Sequence, residues 1–148
     1  MANKLPPDFK EFLVLLEQNN VEYLLIGGYA VGLYGYPRAT FDMDIFIPMD
    51  QANANRLVGT LEEFGFSGTT PVLFMTPSSI IRLGVKPTQL EITNFIDGVS
   101  FQECFEQRTR QVIDGLEVNV ISLEKLRKNK LASGRSKDLA DLENLPET

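Results

Sequence analysis

The chain has 148 residues, 43% of them hydrophobic and 23% charged, which predicts a single domain, residues 1–148, around one continuous core. Its formal net charge of −6 disfavours non-specific binding of long nucleic-acid duplexes, because such binding needs a basic excess. It has no histidine and a single cysteine, which excludes histidine-based catalysis, zinc-type ligand sets and an internal disulfide, and leaves oxygen ligands to hold any metal.

The N-terminal half predicts alternating helices and strands. Hydrophobic periodicity and flanking turn residues predict helices near residues 7–19, 28–34 and 50–64, and strands at 21–26 and 41–47. In the third helix Asp50 is the predicted N-cap, Gly65 ends the helix, and Ala52 and Leu57 are among the residues expected to face the core.

The C-terminal half predicts more strands and then helices. Two or three strands are expected between Pro71 and Phe95, among them 80–85 and 90–95, joined as a hairpin. A short helix near 102–107, a second hairpin around Asp114-Gly115 and helices at 122–132 and 136–145 follow. The whole predicts an α+β fold with a mixed sheet flanked by helices.

No targeting or membrane segment is evident. The N-terminus lacks a charged stretch followed by an apolar run, and no segment approaches the roughly 18 apolar residues that span a bilayer. We therefore expect a cytoplasmic protein that makes no membrane contact.

Two aspartates mark the predicted strand at 41–47. Asp42 and Asp44 are separated by one residue, so on a strand they point to the same face, while Met43 and Ile45 point into the core. Two neighbouring carboxylates repel each other, and a divalent cation such as Mg²⁺ or Mn²⁺ converts that repulsion into chelation. The alternative is an edge strand whose acidic side chains face water.

A pair of glycines lies upstream of these aspartates. Gly27 and Gly28 follow a predicted buried strand and begin a predicted helix, where glycines let an anionic phosphate approach the backbone N–H groups closely. The alternative is a tight turn without a ligand. Together with the aspartates, the glycines predict a metal and phosphate site.

The combined pattern resembles the nucleotidyltransferase (DNA polymerase beta-like) superfamily. Its signature, a hydrophobic residue with Gly-Gly or Gly-Ser and then D-h-D/E-h, is matched by Ile26-Gly27-Gly28 and by Asp42-Met43-Asp44-Ile45. The stretch GGYAVGLYGYPRATFDMDIFI and the tail KNKLASGRSKDLADLENL are similar to minimal stand-alone prokaryotic members, including the AbiEii-like and MNT-antitoxin-like groups. The resemblance covers most of residues 21–145 and implies the nucleotidyltransferase fold with C-terminal helices.

The superfamily resemblance implies a third carboxylate on a neighbouring strand, for which Glu91 is the best match. The family more often has aspartate there, and more often has serine where Gly28 stands. The alternative for Glu91 is an ion pair with Arg82 across the hairpin. Asp97 is a competing third acid, although Asp97-Gly98 is typical of a turn.

Basic and hydroxyl side chains complete the predicted nucleotide site. Arg38 and Thr40 lie in the turn that enters the Asp42–Asp44 strand, where they could reach a phosphate, and Lys130, with Arg135 and Lys137, could form a basic wall. The alternative is that these cations are solvated surface charges. Asp138 and Asp141 are expected to cap the last helix or to pair with lysines.

The implied activity is transfer of a nucleoside monophosphate from an NTP, with ATP the expected donor, to an acceptor hydroxyl on a protein or a small molecule. Asp42, Asp44 and Glu91 are the implied catalytic and metal-binding residues, and the nucleotide contacts are Gly27, Gly28, Arg38, Thr40 and Lys130. One version is an antitoxin that modifies a toxin. The alternative is an inactive nucleotide-binding or protein-interaction module of the same fold.

Overall fold

The computed structural model describes residues 5–37 and 40–148, and the described chain forms six strands and seven helices. The strands are β1 (Leu24–Ile26), β2 (Asp42–Phe46), β3 (Ile80–Leu83), β4 (Gln89–Thr93), β5 (Thr109–Ile113) and β6 (Leu116–Val120). The helices are α1 (Pro7–Gln18), α2 (Gly27–Leu33), α3 (Gln51–Phe64), α4 (Pro71–Met75), α5 (Phe101–Glu106), α6 (Leu123–Ser133) and α7 (Ser136–Asn144).

The strands form one mixed sheet in the order β3-β4-β2-β1-β6-β5. β2 pairs antiparallel with β1 and parallel with β4, while β1 pairs parallel with β6. The two outer pairs, β3 with β4 and β5 with β6, are the antiparallel hairpins that the sequence predicts. The predicted α+β class and mixed sheet are therefore confirmed.

The core lies where α1 and α3 cover the central strands. Phe9, Phe12, Leu13 and Leu16 form the buried face of α1, at the helical spacing that the sequence predicts. Tyr23 is also fully buried, and its hydroxyl donates to Glu17 at 2.5 Å and accepts from the Asn119 backbone N–H at 3.1 Å. Burial and the Glu17 hydrogen bond raise the pKa of this phenol, so it stays neutral.

Helix ends follow the predicted caps. The Asp50 side chain accepts from the Asn53 N–H at 2.8 Å and begins α3, and the Ser122 side chain accepts from the Lys125 N–H at 3.2 Å and begins α6. Gly65 and Gly134 end these helices in the left-handed conformation.

Three local predictions differ from the structure. Pro71–Met75 is a helix rather than a strand, because Pro71 begins it and the Asn94 amide donates to the Phe74 and Thr76 carbonyls. β1 starts at Leu24 rather than at residue 21, since the N–H of Glu22 donates to the Asn53 side chain instead of a strand. Ala52 is exposed, and Ala54 takes the buried position.

None of the helices in the described part of the chain combines the length and the apolar character that crossing a membrane requires.

Candidate active site

Strand pairing brings three carboxylates together at the centre of the sheet. Met43 and Ile45 are fully buried on one face of β2, so Asp42 and Asp44 point to the other face. The parallel register places Glu91 of β4 directly beside Asp44. One carboxylate oxygen of each of the three residues lies within 4.8 Å of the others. The structure thus assembles the predicted group, which we call the acid triad.

Gly27 lies against the acid triad and needs to be glycine for two reasons. Its φ is +69°, which side chains rarely adopt, and a Cβ placed there would lie 2.0 Å from Asp44 Oδ2. Antiparallel pairing of Ile26 with Asp44 fixes this approach. The Gly-Gly turn is therefore built around the carboxylate, beyond what a turn alone requires.

Thr40 lies against Gly28. A Cβ added to Gly28 would lie 2.9 Å from both Thr40 Cβ and Thr40 Oγ1, while the Thr40 hydroxyl donates to the Asp42 carbonyl at 3.1 Å. The threonine therefore occupies the space that a serine at position 28 would use. This packing accounts for glycine where the superfamily more often has serine.

Asp44 has a raised proton affinity within the acid triad. Burial, followed by the charges of Asp42 and Glu91 and a hydrogen bond with Glu91, raises the pKa of Asp44 to about 7, against a smaller opposing effect of Lys137. Among the described residues, the positive charge near Asp44 is therefore too small to offset its burial and its acidic neighbours. Three convergent carboxylates are also the oxygen ligands that Mg²⁺ or Mn²⁺ prefers, so the residues fit a divalent ion.

Glu91 also forms the predicted ion pair with Arg82. Arg82 Nε donates to Glu91 Oε1 at 3.0 Å across the β3–β4 pair, and the Arg82 side chain is exposed while that of Glu91 is half-buried. The two interpretations of Glu91 from the sequence, triad member and partner of Arg82, are therefore both realised in one conformation.

The acid triad lies in a cleft of about 500 Å³. Gly27 and Gly28 line it beside the triad, and the junction of α6 and α7 forms one wall with Lys130, Arg135 and Lys137. β3 and the residues after β4 add Ile80, Phe95 and Asp97 to the lining, and the Asn129 side chain of α6 donates to the Asp97 carbonyl at 3.0 Å. The predicted cations thus share the cleft with the predicted carboxylates.

Lys130 is held differently from the other two cations. It is buried, and its Nζ lies 2.9 Å from Asp138 Oδ1 and 3.1 Å from Asp141 Oδ2. Its charge is balanced by these aspartates, which the sequence predicts either to cap the last helix or to pair with lysines. Arg135 and Lys137 are exposed at the cleft, so they are the cations of this wall that an anionic ligand can reach.

Asp138 is stabilised as a carboxylate despite its burial. Burial alone would raise its pKa, but hydrogen bonds from Ser133, from Lys130 and from Arg135 Nε, the last at 2.7 Å, bring the pKa down to about 2. This cluster fixes the turn between α6 and α7 from which Arg135 and Lys137 reach the cleft.

The sequence profile of the aminoglycoside-2''-adenylyltransferase family matches residues 8–145. The chain belongs to this family. The superfamily resemblance is thereby confirmed, whereas the narrower likeness to AbiEii-like and MNT-antitoxin-like groups stays a prediction. No match was found among curated protein sequences.

Solved structures confirm the nucleotidyltransferase fold for this aminoglycoside-2''-adenylyltransferase family member. The lincosamide antibiotic adenylyltransferase LnuA, with lincomycin bound, superposes with a TM-score of 0.63 at 20% identity, over 97% of each chain. A Thermotoga maritima protein assigned as a nucleotidyltransferase gives 0.62 at 20% identity, over 91% of this chain and 88% of its own. ANT(2'')-Ia in complex with adenylyl-2''-tobramycin gives 0.58 at 14% identity, over 91% and 83%.

Two apolar side chains in the cleft of this family member were not predicted from the sequence. Ile80 and Phe95 line it as large exposed apolar side chains, and alternation along the two strands could have placed them on the face of Glu91. Arg38 lies outside the described residues, so its predicted phosphate contact stays a prediction.

Proposed function

We propose that the protein transfers adenosine monophosphate from ATP to a hydroxyl group of a small molecule, with Mg²⁺ or Mn²⁺ as the metal. The observation that supports this most is the acid triad, with one oxygen of each residue within 4.8 Å of the others, in a cleft that Arg135 and Lys137 also line. The family and the adenylyltransferases of the same fold favour an adenylyl donor.

The triad would bind the metal through Asp42, Asp44 and Glu91. A bound divalent ion would neutralise the triphosphate and lower the pKa of the attacking hydroxyl. The raised pKa of Asp44, caused first by burial and then by its acidic neighbours, supports this assignment because a divalent cation would displace the retained proton.

The remaining residues position the triphosphate. Gly27 has no side chain between the turn and Asp44, so the turn lies directly against the carboxylate that would bind the metal. Arg135 and Lys137 supply positive charge from the α6–α7 junction, and electrostatic stabilisation of this kind contributes most of the rate in phosphoryl transfer. Lys130 acts indirectly in this proposal, by fixing Asp138 and the turn that carries Arg135.

The chemical step is an in-line displacement at the α-phosphorus. The acceptor oxygen forms a bond to that phosphorus as the bond to the pyrophosphate oxygen breaks, and pyrophosphate leaves. We assign the hydroxyl proton to the Glu91 carboxylate, which is the member of the triad that belongs to the β3–β4 hairpin.

A small-molecule acceptor is favoured over a protein. LnuA is solved with lincomycin and ANT(2'')-Ia with adenylyl-2''-tobramycin, both small molecules. A protein acceptor, with a role in a toxin–antitoxin pair, is the second version of the prediction.

Transfer of label from α-labelled ATP tests the proposal. Wild type with Mg²⁺ is expected to label a hydroxylated small molecule, and Asp42→Asn with Asp44→Asn is expected to abolish labelling. Glu62→Gln with Glu143→Gln, two exposed acids outside the cleft, gives the same change in net charge as a control. Labelling that survives the aspartate substitutions would reject the site.

Two further arms separate the alternatives. Labelling of a protein in a host lysate, with no labelling of small molecules, would favour the protein-acceptor version. Saturable ATP binding without any transfer would favour the inactive nucleotide-binding module.

A further inference from the structure

The two walls of the cleft differ in chemistry. Arg135 and Lys137 make the wall at the α6–α7 junction basic, whereas β3 and the segment after β4 present Ile80 and Phe95, which are 51% and 53% exposed. Large apolar side chains that are half exposed inside a concave site indicate a ligand with an apolar part. The triphosphate does not provide one, so these side chains suit an apolar group of the acceptor or the adenine ring of ATP.

Phe95 connects the cleft to a second cavity of about 650 Å³. The second cavity is lined by Phe46, Phe101 and Phe105, with ring centroids 5.1 Å apart for the first pair and 5.2 Å for the second, and by the exposed Met49. One apolar surface therefore runs from the active-site cleft past Phe95 into an aromatic pocket.

This apolar surface lies within reach of one small molecule bound at the acid triad. Phe46 follows Asp44 by two residues on β2, and Phe95 follows Glu91 by four residues along the direction of β4, which is parallel to β2. At about 3.3 Å per residue, the aromatic side chains begin roughly 7 Å beyond the carboxylates.

The second cavity is acidic as well as apolar. Glu22, Asp50 and Glu106 line it against one arginine, Arg56, whose Nε already donates to the Asn20 carbonyl at 3.2 Å. A cationic group on the ligand is favoured here, and an anionic group is disfavoured. The second cavity is therefore complementary to a cation with an apolar part and disfavours the polyanionic triphosphate of ATP.

We propose that the acceptor is a hydroxylated small molecule with an apolar alkyl or aryl group and a basic amine, whose apolar group packs on Ile80 and Phe95 toward the second cavity. This inference rests on the proposed adenylyl transfer and specifies its acceptor. It places the nucleotide phosphates on the Arg135 side of the acid triad and the acceptor on the Phe95 side.

Lincomycin and tobramycin are the probes that test this assignment. Lincomycin carries an alkyl chain and a single basic amine, whereas tobramycin is a polyamine without an alkyl chain. Titration calorimetry with the full chain is expected to show lincomycin binding at least about tenfold more tightly, because an alkyl group buried on the apolar wall adds binding free energy. Equal binding, tighter tobramycin binding, or no lincomycin binding at millimolar concentration overturns the proposal.

Phe95→Ser is the decisive variant. It is expected to weaken lincomycin binding about tenfold and leave the KM for ATP unchanged. Because Phe95 is half exposed the fold should tolerate the change, which a thermal melt checks. Val85→Ser removes an apolar side chain that is 76% exposed and outside both cavities, and is the matched control.

The other outcomes identify other occupants of this surface. A raised KM for ATP in Phe95→Ser would assign the ring to the nucleotide base and overturn the proposal. A wild-type dimer in sedimentation that Phe95→Ser dissociates would assign the surface to a second copy and overturn it as well. Lincomycin binding without any transfer from ATP would instead reject the proposed function and leave the acceptor surface standing.

Discussion

Two groups of carboxylates lie close to each other at the cleft and differ in how their charge is balanced. Asp42, Asp44 and Glu91 converge with the exposed Arg82 at their edge, whereas Asp138 and Asp141 enclose the buried Lys130 Nζ at 2.9 and 3.1 Å. Burial and acidic neighbours raise the pKa of Asp44 to about 7, while hydrogen bonds overcome burial and bring the pKa of Asp138 to about 2.

This difference separates a structural cluster from a candidate metal site. Where the chain supplies its own buried cation, Asp138 stays ionised at every pH above about 4, and the cluster fixes the α6–α7 turn. Where the chain supplies little positive charge, an external cation or a proton has to fill that role. Substitutions in the two clusters should therefore have opposite effects on stability.

The largest effect is expected from removing the buried cation. Lys130→Met leaves Asp138 and Asp141 buried without their ammonium partner, and loss of one partner from a buried ion pair lowers the free energy of unfolding by about 3–5 kcal/mol. Urea unfolding at pH 7 measures it. Lys128→Met, at an exposed position of the same helix, is the control and should change stability little. Equal effects of the two variants would show that Lys130 is not the central cation of the cluster.

The acid triad should respond in the opposite direction. Since the folded-state pKa of Asp44 is raised to about 7, the ionised carboxylate is unfavourable in the folded state above that pH, and stability increases as the pH falls from about 7 toward 4. Asp44→Asn removes this charge, so the metal-free variant should be more stable than wild type by about 2 kcal/mol at pH 8, with little difference below about pH 4.

Asp44→Asn should change activity and stability in opposite directions. Asp44→Asn is expected to lose adenylyl transfer while its thermal midpoint without metal rises at pH 8. Asp97→Asn, at an exposed acid of the same cleft outside the triad, is the control for stability. If Asp44→Asn were less stable than wild type at pH 8, ionised Asp44 would not be unfavourable in the folded state.

The acid triad could largely be predicted from the sequence because its geometry is local. Alternation along β2 fixes Asp42 and Asp44 on one face, and the short Gly-Gly turn after a buried strand is visible as a pattern. Glu91 needed the superfamily resemblance, because the pairing of β4 with β2 joins residues far apart in the chain.

The features that escaped prediction depend on tertiary contacts. Thr40 occupies the space beside Gly28 although the two residues are twelve positions apart, and Asn94, which directly follows β4, stabilises α4. The basic stretch around Lys130 is typical of surface charges, whereas the burial of Lys130 follows from packing of α7 on α6. The apolar wall of Ile80 and Phe95 forms only when β3 and the end of β4 meet the cleft.

The smallest effect is expected at Arg82. This residue pairs with Glu91 of the acid triad, as Lys130 pairs with its two aspartates. Its Nε donates to Glu91 at 3.0 Å, so it partly balances the triad from the solvent side. Exposed ion pairs contribute about 0–1 kcal/mol, and a metal ion competes with this one for the same carboxylate. Arg82→Met should therefore tighten Mn²⁺ binding, measured by titration with EPR detection of free Mn²⁺, about two- to fivefold.

Arg110→Met removes an arginine paired with Glu17 and Glu117 at the opposite edge of the sheet, and should leave the affinity unchanged. Weaker binding in Arg82→Met would show instead that the guanidinium positions the long Glu91 side chain, and the acid triad would then depend on a cation of its own just as the Lys130 cluster does.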